Sequence, residues 1–276
     1  MLELHCHTTF SDGTLTPTQL VEAATAVGVQ ALAITDHDTL SGWDEALVAA
    51  KLHNLEIVPG VELSTVHNGR SLHILGFYPD ADKLREPLAE RLNGRRRRAE
   101  QMANKLAALG YPITLPNLGE GVAPSRPHLA RALVKAGHVQ SVAEAFDTLL
   151  GDDKPACVHY EKFSIKEGIA LLRSCGAVPV WAHPYLFQGG EVEDVLKELL
   201  AAGLMGIEVY HPGHSSKEVK HLESLCHQHQ LLMAGGSDYH GPTAKGEPPK
   251  SSKLNMMSLS LSLLEPIKQA AEGLKN

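Results

Sequence analysis

The sequence predicts an α/β barrel interrupted by a helical insertion. Short apolar runs alternate with amphipathic stretches over most of the chain, as in βα units around a parallel sheet. The strand signal disappears between residues 79 and 160 and then resumes. Histidines and carboxylates fall directly after the apolar runs, where a barrel gathers its functional groups. With 276 residues, 43% of them hydrophobic, the chain can bury one barrel-sized core.

Leu2 to Leu4 reads as the first strand. A helix follows, with Thr16 as N-cap, Pro17 at its first position, Gln19 completing a capping box and Gly28 just past its end. Ala31 to Thr35 is the second strand, Ser41 to Asn54 a helix, Ile57 to Val61 the third strand and Ser71 to Phe77 the fourth. The insertion reads as helices over Lys83 to Leu109, Arg126 to Ala136 and Val142 to Leu150. Strands return at Val178 to Ala182, Gly206 to Val209 and Leu231 to Ala234, with helices starting near Ser164, Glu191 and Ser215. Ser164 with Glu167, and Ser262 with Glu265, spell further capping boxes. Residues 1–78 and 161–276 thus form the barrel and 79–160 the insertion. The loop from Gly241 to Lys253, rich in Pro, Gly and Lys, is expected to be a mobile cover.

Composition narrows the function. A net charge of -7 argues against coating nucleic acid or an anionic membrane through bulk charge. No apolar run approaches the ~20 residues of a membrane span, and the start has no basic-apolar leader, so a cytoplasmic protein with no membrane partner is expected. Cys6, Cys157, Cys175 and Cys226 form no C-x-x-C pair, which points away from disulfides and thiolate zinc. Sixteen histidines are an excess, and histidine is the commonest metal ligand.

His5 and His7 flank Cys6 at the end of the first strand, and alternation turns both imidazoles to one side. Alone, such a pair carries little weight, and Asp12 in Ser11-Asp12-Gly13 reads equally well as a turn former. Accumulation decides. Asp36, His37 and Asp38 end the second strand, Glu62 ends the third, and His73 lies in the fourth, after a hairpin-like loop through Asn68-Gly69. His183 follows Val178 to Ala182, and Asp238 and His240 follow Gly235-Gly236-Ser237. Imidazole and carboxylate without thiolate suit Zn, Mn or Fe in a multinuclear hydrolytic site.

Five segments, His5-Cys6-His7-Thr8 with Ser11-Asp12-Gly13, Ile34-Thr35-Asp36-His37-Asp38-Thr39, Gly60-Val61-Glu62, Ala182-His183-Pro184 and Gly236-Ser237-Asp238-Tyr239-His240, carry a family signature in order across the chain. The sequence resembles the polymerase-and-histidinol-phosphatase (PHP) family of phosphoesterases, among the amidohydrolase-like barrels. The resemblance implies a distorted (β/α)7 barrel holding two or three divalent metal ions, manganese first, with iron and zinc as alternatives. It assigns His5, His7, Glu62 and Asp238 to one site, Glu62 with His73 and His183 to a second, and Asp12, His37 and His240 to a third. No ligand position is missing, which implies an active enzyme. Asp36 also belongs to the pattern, and beside His37 it reads first as an acceptor orienting an imidazole. Catalytic roles beyond ligation are expected of His183, His240 and Asp36.

Specificity is expected from the insertion. Met102, Leu106 and Leu109 form a helical stripe that Arg95 and Arg98 continue, against the plain reading of a solvated charged face. Ser125-Arg126-Pro127-His128 opens a helix whose free N–H groups and Arg126 suit an anion, against the plain reading of an N-cap. Lys253 and Asn255 are expected near the barrel mouth, and His211 and His214 could line it. His53, His67, His138, His221, His227 and His229 read as surface histidines. The Ser-Arg-Pro-His segment is similar to the stand-alone subgroup acting on nucleotides. That implies removal of the 3'-phosphate from nucleoside 3',5'-bisphosphates, with short 5'-phosphorylated RNA or DNA oligonucleotides cut 5' to 3' as further substrates. The alternatives are a histidinol-phosphate-type phosphatase, a non-catalytic nucleic-acid-binding module and a metal-dependent amide hydrolase.

Overall fold

The structure, a computed structural model, describes residues 1–118, 122–158, 163–242 and 252–275. Most of the loop expected as a mobile cover, residues 243–251, lies outside them. The chain runs β1 (Leu2–Glu3), α1 (Pro17–Ala26), β2 (Ala31–Ile34), α2 (Trp43–His53), β3 (Glu56–His67) and β4 (Arg70–Phe77). Next come α3 (Ala81–Ala108), α4 (Arg126–Lys135) and α5 (Val142–Ala145), which continues as one wide turn, Phe146–Leu150. β5 (Phe163–Ser164), α6 (Ile165–Ser174), β6 (Val178–Trp181), α7 (Val192–Ala202), β7 (Gly206–Tyr210), α8 (Ser216–His229), β8 (Leu232–Gly235) and α9 (Leu264–Lys275) complete the order.

Local chemistry sets the boundaries. Thr16 and Gln19 close a capping box on α1, as Ser164 and Glu167 do on α6 and Ser215 and Glu218 on α8. The box expected from Ser262 and Glu265 does not form. Ser260 instead caps a 3-10 turn, Leu261–Leu263, that runs straight into α9. Ser262 sits inside that turn and donates to Ser260 Oγ, while Glu265 accepts from Gln269. The four cysteines are buried and unbridged.

Seven strands follow the order β1-β2-β3-β4-β6-β7-β8, with β5 paired to the far end of β3. β1, β2 and β3 are parallel, β4 is antiparallel to β3 and β6, and β6, β7 and β8 are parallel again. The reversal at β4 comes from a two-residue turn in which Asn68 (φ 48°) and Gly69 (φ 74°) are both left-handed, the conformation a tight hairpin requires. Backbone bonds from Leu4 N to Gly235 O, Tyr239 N to His5 O and His7 N to Tyr239 O nearly close the sheet into a barrel. β3 was expected to end at Val61 and continues to His67. Glu62, Ser64 and Thr65 interrupt the apolar run, yet all are buried and paired with β4. Glu62 therefore lies within a strand, not at its end.

By contact density the described residues divide into two units. One takes 1–86, 163–242 and 252–275, and the other 87–118 and 122–158, the division falling inside α3. The core of the first includes Leu2, Leu4, Val58, Leu75, Phe77 and Val180, with Leu264 and Ile267 of α9 packed on it. The second has its own core of Ala99, Met102 and Leu106 from α3 against Leu129 and Leu133 of α4 and Leu150. Leu109, expected on that stripe, is exposed because α3 has ended before it. Among the described residues no helix is long and apolar enough to cross a membrane.

Candidate metal centre

Beyond β1 the chain stays extended, with Cys6 tied to Thr35 through its amide and its carbonyl. Cys6 is buried on one side, and His5 and His7 face the other, both fully buried. The segment after β2 is registered on β3 by Glu62 N to Asp36 O and Asp38 N to Glu62 O, which sets His37 beside Glu62. His73 reaches the same place from β4. His183 follows β6 and Asp238 follows β8, both left-handed, at φ 33° and 50°. For non-glycine residues that conformation costs of order 1–3 kcal/mol, and it aims both side chains inward.

Glu62 is the hub. Its Oε2 lies 3.3 Å from His5 Nε2, 3.1 Å from His7 Nε2 and 3.1 Å from His37 Nδ1. Its Oε1 lies 2.7 Å from His73 Nδ1 and 3.1 Å from His183 Nε2. Asp238 Oδ1 stands 3.4 Å from His5 Nε2, 3.1 Å from His7 Nε2 and 3.5 Å from His240 Nδ1. Asp12 is 3.2 Å from His240 Nε2 and 3.9 Å from His37 Nε2, and the His240 ring stacks on His7 at 4.1 Å. The nine residues expected as ligands are thus all brought together, with His7 also beside Asp12 and His240, and His37 also beside Glu62.

The electrostatics call for cations. Burial would raise the Glu62 carboxyl, but His37, His73 and His5 outweigh it and hold it well below the ordinary range. Asp238, opposed by burial, is held low by His5 and His240, and Asp12 by His240 and His37. Burial works against charging His7, yet Asp238 and Glu62 push it up to about 10. His5 is likewise driven well above its usual value by Glu208, Asp238 and Glu62 against burial. Buried carboxylates this close together need positive charge at the same point. The Nε2 atoms of His5 and His7 and Oδ1 of Asp238 are buried without a hydrogen-bond partner. Three donor sets, His7-Asp12-His37-His240, His5-His7-Asp238 and His37-Glu62-His73, each hold their ligand atoms within 4.8 Å of one another. These imidazole and carboxylate groups are placed to bind metal, and the donor set fits divalent ions.

Outer partners fix the rings. His5 Nδ1 donates to Glu208 at 2.8 Å, which leaves Nε2 for the centre, and the other Glu208 oxygen accepts from His183 N at 2.8 Å. Glu3 accepts from Ser237 N at 2.6 Å and from Asn255 N at 3.1 Å, anchoring the loop that carries Asp238. Both glutamates escaped the sequence reading. Their signal was a lone carboxylate inside an apolar strand, Leu-Glu-Leu and Gly-Ile-Glu-Val-Tyr. Asp36, expected among the catalytic groups, does not enter the cluster. It accepts from Thr8 N, Thr8 Oγ1 and Ser11 Oγ, and reaches His7 through Ser11 Oγ, 3.3 Å from His7 Nδ1.

Other expected residues lie elsewhere. Asn255 is not at the barrel mouth, because its side chain donates to Val27 O at the end of α1, beside the start of β2. Lys253 is exposed two residues before it. In the second unit Ser125 is the N-cap of α4, its amide donating to His128 Nδ1 at 3.2 Å. Arg126 pairs with Asp152 at 2.7 Å and lies over the Phe146 ring. Arg98 donates to Val158 O, and Arg95 is half-buried. His211 and His214 are both buried near the centre, His211 Nε2 being 3.6 Å from Asp238 Oδ2. His67, expected at the surface, is buried against Phe187, and His138 and His221 are half-buried. His53, His227 and His229 are exposed.

Comparison with known proteins agrees with this geometry. The PHP domain model matches residues 3–115. A 5'-3' exoribonuclease of Haemophilus influenzae is 36% identical, over 87% of this chain and 90% of its own length. A 3',5'-nucleoside bisphosphate phosphatase of Chromobacterium violaceum is 32% identical, over 89% of each. A crystal structure from Bifidobacterium adolescentis, assigned to the metal-dependent phosphoesterases, superposes with a TM-score of 0.87 at 33% identity, covering 98% of this chain and 96% of that one. Similarity of this extent, together with the matched domain, shows that the chain belongs to the PHP domain family.

Proposed function

We propose that this chain is a metal-dependent phosphoesterase that removes the 3'-phosphate of nucleoside 3',5'-bisphosphates and also degrades short 5'-phosphorylated oligonucleotides from the 5' end. The observation that carries the reading is the set of five imidazoles around one buried carboxylate, Glu62. The names of the Chromobacterium and Haemophilus relatives support the substrate class. His5, His7, Asp12, His37, Glu62, His73, His183, Asp238 and His240 would hold two or three ions, manganese first. Bound ions would supply an activated water and neutralise charge on the phosphoryl oxygens.

The protein's own residues prepare that chemistry. Glu208 holds His5 in the tautomer that offers Nε2 as a lone pair, and Ser11, backed by Asp36, does the same for His7. His240 donates Nδ1–H to Asp238 O at 2.8 Å, which leaves its Nε2 a lone pair directed at Asp12. Ligation therefore suits His240 better than proton donation. Arg126, which holds Asp152 through one guanidinium nitrogen, would exchange that carboxylate for a substrate phosphate. Arg95, Arg98, Ser125, His128, Lys253 and Asn255 retain at most supporting roles, Asn255 through Glu3.

The test compares phosphate release from adenosine 3',5'-bisphosphate and from histidinol phosphate with added Mn. The bisphosphate should be preferred by at least about tenfold in kcat/KM, equivalent to about 1.4 kcal/mol of transition-state discrimination. Preference for histidinol phosphate would overturn the assignment.

A further inference from the structure

His211 immediately follows β7 and begins the turn His211-Pro212-Gly213-His214. It is 4% exposed. The backbone N–H of Gly213 donates to His211 Nδ1 at 2.9 Å. Only a lone pair can receive that hydrogen, so the neutral ring carries its own hydrogen on Nε2. Gly213 makes the approach feasible, since a Cβ there would stand 3.0 Å from Nδ1 and 2.7 Å from Leu186 Cδ1. His214 adopts the opposite arrangement, its Nδ1 donating to Val209 O at 3.0 Å.

The His211 Nε2 is buried and has no hydrogen-bond partner. Asp238 Oδ2, at 3.6 Å, is too far for a full hydrogen bond, though close enough for the ring to help hold that carboxyl low. The ring lies 5.6 Å from that of His183 and 6.4 Å from that of His5, so Nε2 opens on the side of the centre formed by His5, His183 and Asp238. A nitrogen bearing hydrogen has no lone pair for a cation, which sets His211 apart from the ligand histidines. What it suits is an oxygen that only accepts, and a phosphate group presents such oxygens.

We propose that His211 contacts substrate as a neutral Nε2–H donor to a phosphoryl oxygen on the His5, His183 and Asp238 side of the centre. The assignment rests on the phosphoesterase reading but not on the nucleotide. Its test is orthophosphate binding by calorimetry to Mn-loaded wild type, His211→Ala and His211→Gln, with metal content measured on the same samples and the His211 tautomer read by nitrogen-15 NMR in the wild type. The expected result is an Nε2–H tautomer and orthophosphate affinity weakened about tenfold or more in His211→Ala at unchanged metal content. His211→Gln, which restores an N–H donor, should recover most of that affinity. An Nδ1–H tautomer would overturn the proposal. So would lost metal in His211→Ala with unchanged affinity per loaded site, which would make His211 a prop for Asp238. Orthophosphate is common to every phosphate monoester, so failure of the nucleotide assignment leaves these outcomes intact.

Discussion

Glu208 shows how much of the centre depends on residues that need touch no ion. It is fully buried, and its two oxygens divide between the His5 ring and the His183 amide. Burial raises its carboxyl, but His5 overrides that and keeps it ionised. Glu208→Gln removes the charge and half the accepting capacity while keeping the shape. Metal affinity is expected to fall about 10- to 100-fold, measured by titration of the metal-free protein, and undiminished affinity would contradict the role. The ligands themselves were legible because each strand end added a residue of one chemical kind. Glu208 and Glu3 were not, because a lone carboxylate in an apolar strand has the pattern of ordinary alternation with a solvent face. Only the fold reveals that both faces are covered.

At the scale of elements, the seam between the first and last strands is where structure and site meet. Glu3 on β1 holds the turn after β8 through Ser237 N, and Gly236 lies so close that a Cβ would stand 2.5 Å from His5 N. Burial pushes the Glu3 carboxyl up to about 7 from 4.5, against the lowering effect of Ser237 and Asn255. Between these values the folded protein holds a proton that the unfolded chain has released. The stability this group contributes is therefore complete below pH 4.5 and is lost as pH rises through about 7. Glu3→Gln mimics the protonated form. Thermal unfolding of metal-free protein should show wild-type stability falling about 3 kcal/mol further than that of Glu3→Gln across this window, and equal pH slopes would contradict the coupling. Helix starts were readable because caps are local, as at Thr16 and Ser164. The length of β3 was not, because its pairing with β4 is set by the hairpin at Asn68-Gly69 and overrides the polar residues within the strand.

Over the whole molecule, the first unit supplies every side chain of the metal centre and the second carries the Arg126 helix with a core of its own. The barrel was legible in the alternation of runs. The reversed β4 was legible only through the hairpin-like turn at Asn68-Gly69, because an antiparallel strand has the same apolar pattern as a parallel one. The activity we propose for the Glu62 cluster is metal-dependent phosphate-ester hydrolysis. Its most direct test is phosphate release from adenosine 3',5'-bisphosphate by protein stripped with chelator, then reloaded with Mn, beside Glu62→Gln treated in the same way. Release should vanish on stripping, return on reloading and stay at least about a thousandfold lower in Glu62→Gln. Equal release from stripped and reloaded protein, or full activity in Glu62→Gln, would contradict it.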